Sequence, residues 1–138
     1  MKNDMVNYNA ETDPLISVKD LHKHFDDLHA LNGVSLDIYK GDVIFVVGPS
    51  GSGKSTIGNC LLMREIPTSG DIIYEGHNLK DSTRHGRKSM AKSMQMITQD
   101  PFASLDPRFT VGDCIAEGLR IHHMISGEEA IRDRVGYM

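Results

Sequence analysis

Apolar and polar positions alternate along two early stretches of the chain, residues 15–20 and residues 34–38. Such alternation is typical of β-strands with one buried face, so both stretches are predicted strands. The second stretch runs toward a turn at residues 40–42. Residues 43–47 differ, because they read Val-Ile-Phe-Val-Val and are apolar at every position. A run of this kind predicts a strand buried on both faces, as in the parallel sheet of an α/β fold.

Two further elements are predicted in the middle of the chain. Apolar positions recur at helical spacing over residues 57–64, and the helix predicted there must end before Pro67. A short strand is predicted over residues 71–74, with a turn at residues 75–76. These segments add a helix and another strand to the predicted α/β fold.

A second helix is predicted to start at Thr110. Thr110 and Asp113 have the spacing of a capping box, and the helix is expected to present Ile115 and Leu119 on one face. Residues 125–128 are predicted to form a turn between this helix and the next one.

The segment that follows the apolar run has the spacing of a phosphate-binding loop, with two glycines at fixed positions and then Lys and Ser. Glycines accept backbone conformations that side chains forbid, and they let several N–H groups turn toward one anion. The positive end of the following helix reinforces those groups around the α- and β-phosphates. Lys54 can reach the β- and γ-phosphates as a point charge, and the Ser55 hydroxyl is placed to bind Mg²⁺. The predicted phosphate-binding residues are Gly48, Pro49, Ser50, Gly51, Ser52, Gly53, Lys54, Ser55 and Thr56.

Residues 94–108 form a second informative segment. A short apolar stretch stops at Gln99, and Pro101 and Pro107 force an extended or turning path beyond it. A loop at the end of a parallel strand lies beside the phosphate loop, because ligands bind at the carboxyl ends of such strands. Gln99 is then placed to contact a metal, a water or the γ-phosphate.

Composition limits the classes of partner. The formal charge of −4 over 138 residues argues against a general nucleic-acid field. Cys60 and Cys114 are far apart and have no metal-like spacing, so they are interpreted as reduced cysteines of a cytosolic protein. Residues 1–14 are a predicted mobile tail without the apolar core of a signal peptide, and no apolar run approaches the length of a membrane span. The chain is therefore predicted to be neither secreted nor inserted in a membrane on its own.

Together the motifs resemble the first half of an ATP-binding subunit of an ABC transporter. Residues 48–56 match the family's Walker A loop, Gln99 matches the glutamine of its Q-loop, and Phe25 matches the aromatic residue of its A-loop. Residues 94–122 are similar to the oligopeptide/dipeptide importer branch. The region around residues 20–36 is nearer to importers of polar amino acids, so peptide transport is the preferred interpretation and amino-acid transport remains open.

This resemblance implies a subunit that couples ATP binding and hydrolysis to solute import. It implies ATP and Mg²⁺ as cofactors, with Phe25 stacking on adenine and with Ser55 and Gln99 as metal ligands. Lys54 and Gln99 are the implied catalytic residues. The implied partners are transmembrane permease subunits, a second ATP-binding subunit and, indirectly, a solute-binding protein, but no nucleic acid. The implied location is the cytoplasmic face of the cell membrane, where permease subunits hold the protein peripherally.

The fold implied by the resemblance is α/β, the P-loop NTPase core of an ABC-type nucleotide-binding domain, truncated before the signature and Walker B region. Residues 1–14 are then a tail, residues 15–100 a partial ATP-binding core and residues 101–138 the start of a helical subdomain. No apolar strand in the sequence ends in Asp-Glu, so the family's Walker B, signature and switch histidine are expected after Met138. Without the Walker B strand, residues 43–47 are expected to lack a sheet neighbour and to make the isolated chain poorly stable.

Two other classes of function are compatible with a phosphate loop. A non-catalytic nucleotide-binding fragment would bind nucleotide stably without turnover. An unrelated P-loop enzyme, such as a GTPase or a small-molecule kinase, is less consistent with the two strand-like segments before the loop. No Asn-Lys-x-Asp motif that reads guanine follows the loop. A binding titration that compares ATP with GTP separates these classes.

Overall fold

The computed structural model describes residues 8–81, 90–97, 99–100 and 105–137. The chain divides into two units, Met1–Gln95 and Met96–Met138. Each unit has a hydrophobic core of its own.

The first unit is built on a four-stranded sheet in the order β2-β1-β3-β4. Strands β1 (Ile16–Phe25) and β2 (Leu28–Ile38) form an antiparallel hairpin. Strand β3 (Ser69–Tyr74) pairs antiparallel with the other edge of β1, and β4 (His77–Asn78) pairs antiparallel with β3. The three strands predicted outside residues 43–47 are therefore confirmed, and the hairpin strands are longer than the alternating patterns that predicted them.

The core of this unit joins the sheet to helix α1 (Lys54–Leu61), which buries Ile57 and Cys60. Burial raises the pKa of the Cys60 thiol, so this side chain stays protonated and acts as a small apolar group. A 3₁₀ turn (Leu79–Asp81) and the helical residues 90–93 complete the unit. The buried core residues are Val18, Leu21, Leu31, Ile57, Cys60, Ile72, Leu79 and Met90.

Helix α1 begins and ends earlier than the predicted range of residues 57–64. It ends in a Schellman motif, in which the Met63 N–H donates to the Cys60 carbonyl and the Arg64 N–H donates to the Asn59 carbonyl, both at 2.9 Å. Met63 has the positive φ of this motif, 54°, where glycine is usual. The reversal sends the chain back along the sheet well before Pro67.

The prediction of a buried parallel strand over residues 43–47 is wrong. These residues form no strand, and Val43, Phe45 and Val47 are 79%, 84% and 87% exposed. A strand exists only through hydrogen bonds to a neighbouring strand. Within the described part of the chain, the sheet is antiparallel and none of its strands pairs with residues 43–47. The apolar pattern indicates that these residues are able to form a buried strand, but in this structure they are exposed.

The second unit is a pair of helices, α2 (Val111–Ile121) and α3 (Glu128–Tyr137). The predicted cap is confirmed, since the Asp113 N–H donates to Thr110 Oγ1 at 3.2 Å. The turn predicted over residues 125–128 does separate the helices, although Glu128 already begins α3.

The buried face of α2 differs by one residue from the prediction. Ala116 and Leu119 pack against Ile131 of α3, whereas Ile115 is exposed. Residues 116 and 119 are one turn apart and share a face, and the small Ala side chain lets a neighbouring helix approach. The contact with α3 thus determines that Ala116 and not Ile115 is buried, which the spacing of apolar residues alone could not predict.

Candidate functional site

The phosphate-loop segment, residues 48–56, lies in the first unit and leads into the first turn of α1. Gly51 and Gly53 have φ values of 81° and 86°, in the left-handed region that a side chain makes costly. Gly53 is also the N-cap of α1. The two glycines therefore supply the backbone geometry that turns the loop into the helix.

Gly53 also sets how closely the loop approaches the sheet. A Cβ atom at this position would overlap the Ala30 carbonyl oxygen and lie 2.9 Å from Leu31 Cδ2. Leu31 of β2 is paired with Lys23 of β1, two residues before Phe25. The structure thus brings the phosphate loop and Phe25 to the same end of the β1–β2 hairpin, as the sequence motifs require.

Helix α1 begins without a cap from its own side chains, and no acidic residue lies in its first turn. The first N–H of the helical ladder is that of Ile57, which donates to the Gly53 carbonyl at 2.9 Å. The N–H groups of residues 54–56 precede this bond and need other acceptors. Helix α2 differs, because Thr110 accepts from Asp113 at its start. Uncapped N–H groups and the helix dipole together attract anions, so the start of α1 is suited to a phosphate.

Lys54 places its ammonium inside the curve of the loop. Its Nζ donates to the carbonyl oxygens of Gly48 at 2.8 Å and Pro49 at 2.6 Å, and it lies 3.4 Å from Ser52 Oγ. These partners are neutral oxygens, and charged phosphate oxygens are stronger acceptors for an ammonium. The lysine is therefore held where an anion in the loop would meet it.

Ser55 and Thr56 follow in the first turn, where Ser55 is exposed and Thr56 is half-buried. A serine hydroxyl is a hard oxygen donor, the kind that Mg²⁺ takes together with phosphate oxygens and water. The exposed Ser55 hydroxyl fits this use. The same turn supplies the N–H groups described above, so a metal and a phosphate would be held side by side.

Phe25 ends β1 and is 40% exposed. The Nζ of Lys23 lies 4.7 Å from the centroid of its ring, a cation–π contact. The ring thus has a protein cation on one side and keeps solvent-accessible surface for another flat group. Lys23 itself was not identified by the sequence motifs. Its signal is the spacing of two residues, which puts Lys23 and Phe25 on the same face of a strand.

Gln99 belongs to the second unit and is exposed. Residues 94–97 form no strand, so the prediction that Gln99 follows a parallel strand is wrong. None of the strand pairings in the described sheet involves residues 94–97. Residue 98 and residues 101–104 of the predicted loop lie outside the described residues. The role of Gln99 at a metal or at the γ-phosphate stays a prediction.

A family model described as ABC transporter matches residues 31–136. The match includes the phosphate loop, Gln99 and nearly all of both helices of the second unit. The chain belongs to the ABC transporter family. This assignment confirms the resemblance carried by the Walker A spacing and by residues 94–122.

Two curated relatives place the ABC transporter match more narrowly. The chain is 42% identical over 134 residues to the oligopeptide transport ATP-binding protein OppF of Bacillus subtilis (strain 168), over 90% of this chain and 42% of the relative. It is 44% identical over 112 residues to a putative peptide import ATP-binding protein of Brucella ovis, over 78% of this chain and 35% of the relative. The chain thus spans about two-fifths of the length of these relatives.

The fold agrees with that of a solved ABC protein. CbiO1 of Clostridium perfringens, part of the ABC transporter complex CbiONQ, superposes with a TM-score of 0.72 and 29% identity, over 91% of this chain and 49% of that one. The predicted fold class, an α/β ABC-type nucleotide-binding core, is confirmed. Among the described residues, no helix combines the length and the apolar character needed to cross a membrane.

Proposed function

We propose that this chain is the nucleotide-binding part of an ABC importer subunit, which couples ATP binding and hydrolysis to the uptake of peptides. The observation that carries the proposal is the start of α1. It has no cap of its own and is preceded by a glycine loop that holds the Lys54 ammonium. It also abuts the hairpin end that bears Phe25. Phosphate donors and a flat apolar ring at one end of one hairpin match the two halves of a nucleotide.

Each residue of the loop then has a role in binding ATP. The backbone N–H groups of residues 50–56 donate to the α- and β-phosphates, with Gly48 and Pro49 shaping the loop, and Lys54 donates to the β- and γ-phosphates. Ser55 and Gln99 contribute oxygen ligands to Mg²⁺, which neutralises charge on the phosphates when bound. Phe25 stacks on adenine, and Gln99 senses the γ-phosphate. In this proposal, Lys54 and Gln99 are the catalytic residues of this chain.

The solute class rests on the relatives. The first is named for oligopeptide transport and the second for peptide import, and residues 94–122 resemble the same branch. The proposed partners are transmembrane permease subunits, a second ATP-binding subunit and, indirectly, a solute-binding protein. On this proposal the protein is peripheral at the cytoplasmic face of the membrane. Deleting the gene should lower uptake of labelled oligopeptides more than uptake of amino acids, and the reverse would favour the amino-acid importer.

The first test of nucleotide binding is Lys54→Ala. Removal of one charge-assisted contact costs about 1.5–3 kcal/mol, so the dissociation constant for Mg·ATP should rise roughly 10- to 150-fold. Equilibrium titration of the purified chain measures this change. Lys80→Ala is the matched control, because Lys80 makes a loose surface pair with Asp71, at 3.7 Å, and its removal should leave affinity unchanged. Equal affinity in wild type and Lys54→Ala would refute the role of Lys54.

A further inference from the structure

Lys23 is a nearly buried cation with three contacts. Its side chain is 13% exposed, and its Nζ lies 2.9 Å from Glu65 Oε2. The same Nζ donates to the Ile66 carbonyl at 2.9 Å and lies 4.7 Å from the centroid of the Phe25 ring. A flexible lysine stem fixed by an ion pair and a carbonyl has little freedom left to move its ammonium.

The two anchors of Lys23 come from the segment directly after α1. The Schellman motif at Met63 turns the chain there, so Glu65 and Ile66 are brought back to β1. Lys23 therefore ties the carboxyl end of α1 to the strand that carries Phe25. The amino end of the same helix is the proposed phosphate site. Helix α1 and Lys23 thus connect the proposed phosphate site with Phe25, the proposed site of the base.

The position of the ammonium also decides which ring face is open. Lys23 and Phe25 are two residues apart on β1 and share a face of the strand. A cation over one face of the ring holds the ring in place and excludes a base from that face. A stacking base is left with the opposite face of this ring, and Phe25 as a whole is 40% exposed.

We propose that Lys23 is a positioning residue for base recognition: anchored by Glu65 and Ile66, it holds the Phe25 ring in the orientation that stacks on adenine. This inference rests on the proposed function, because it assigns a role within the same nucleotide site. It predicts that changes at Lys23 affect binding of the base, through the Phe25 ring, and leave binding of the phosphates unchanged.

The test compares ATP with inorganic tripolyphosphate, which has the phosphates and no base. The full chain and its Phe25→Ala, Lys23→Met and Lys23→Arg variants are titrated with each ligand in the presence of Mg²⁺. Phe25→Ala should weaken ATP binding about fivefold or more, the loss of one stacked base. Lys23→Met should weaken it by about two- to fivefold, the scale of a cation–π contact, and Lys23→Arg should restore it. None of these variants should change tripolyphosphate binding.

A double variant shows whether Lys23 acts through the ring. In the Phe25→Ala background, Lys23→Met should have no further effect on ATP, because the ring on which it acts is gone. Glu65→Gln weakens one anchor, keeps the lysine and should give a smaller loss that is also confined to ATP. This variant tests the inference even where Lys23→Met fails to fold.

Four results would overturn the inference. If Lys23→Met weakened the binding of ATP and of tripolyphosphate equally, the role of Lys23 would be merely structural. If Lys23→Met and Glu65→Gln both left ATP binding unchanged, Lys23 would have no role in base recognition. Additive losses in the double variant would separate Lys23 from Phe25. If the wild-type chain binds neither ligand, the proposed function falls and this inference falls with it. Wild-type binding with a normal loss in Lys54→Ala keeps the proposed function whatever Lys23 does.

Discussion

At the scale of single residues, Gly53 joins three requirements in one position. It has a positive φ, it occupies the N-cap position of α1 without supplying a side-chain cap, and it lets the loop approach the Ala30 carbonyl oxygen without a side chain between them. Any other residue would push the loop away from β2, and with it the uncapped N–H groups of α1. The backbone conformation of the phosphate loop and its close approach to the hairpin thus both depend on the absence of a Cβ atom at Gly53.

We expect Gly53→Ala to lower both stability and affinity for ATP. The added Cβ meets backbone and the Leu31 side chain, and the left-handed backbone is costly for Ala, so a loss of about 1–3 kcal/mol is expected. Thermal unfolding by circular dichroism and ATP titration measure the two effects. Gly118→Ala is the matched control, since its added Cβ would meet no described atom within 4 Å apart from its chain neighbours and the backbone of its own helix. Its place inside α2 should make that change stabilising, by about 0.5–1 kcal/mol. A Gly53→Ala protein as stable as wild type would contradict the packing described here.

At the scale of elements, the helices of the two units begin in opposite ways. Helix α2 satisfies its own first turn through Thr110 and Asp113, whereas α1 has neither a side-chain cap nor an acidic residue there. A side-chain cap stabilises a helix by accepting hydrogen bonds from the backbone N–H groups of its first turn. A helix that binds an anion must leave those N–H groups without a cap. This contrast separates the structural helix from the helix of the candidate site.

The second unit should lose stability at acidic pH through Glu128. The Arg120 guanidinium donates to the Glu128 carboxylate at 3.0 and 2.6 Å and lowers its pKa. A lowered pKa in the folded state means that the pair stabilises above the unfolded pKa, and that this stability is lost as pH falls through the folded pKa. Thr110 lowers the pKa of Asp113 by a hydrogen bond, which adds the same dependence.

Helical circular dichroism during thermal unfolding, from neutral pH to below about pH 4, measures this loss. Glu128→Gln should reduce the dependence on pH in that range, because the titrating partner of Arg120 is gone. Glu129→Gln, the adjacent position of α3, is the control and should retain the wild-type profile. Identical profiles for wild type and Glu128→Gln would show that the ion pair contributes nothing to stability.

At the scale of the whole molecule, the dominant feature is the exposed apolar run over residues 43–47. Five consecutive apolar side chains in water are a large exposed patch for a chain of 138 residues. A stretch of high β-propensity without a hydrogen-bonded neighbour is also a template for pairing between chains. The isolated chain is therefore expected to self-associate through this segment and to be poorly stable.

Phe45→Lys should raise the fraction of monomer. The charge interrupts the apolar run at a side chain that is almost fully exposed, so the change removes association without disturbing a core. Light scattering and size-exclusion chromatography at increasing protein concentration measure the result. Met124→Lys replaces an exposed apolar side chain in the second unit and should leave association unchanged. Cooperative unfolding of the wild-type chain without aggregation would count against this account.

The sequence by itself determined the features whose causes lie within a few residues. Alternation predicted β1 and β2, the spacing of glycines and lysine predicted the phosphate loop, and Thr110 with Asp113 predicted the start of α2. In each case the pattern and the force that it reports are local: one buried face, one backbone conformation, one capping hydrogen bond.

Only the tertiary structure decided the features that depend on a distant neighbour. The composition of residues 43–47 predicted a buried strand and the family resemblance predicted that they lack a sheet neighbour; the structure decides between the two, because none of the described strands pairs with them. Ala116 is buried in place of Ile115 because α3 packs on that side of α2. Lys23 meets Ile66, 43 residues away, only after α1 has turned the chain back. Burial, pairing and ion-pair geometry are properties of two segments at once, so a pattern read along one segment cannot determine them.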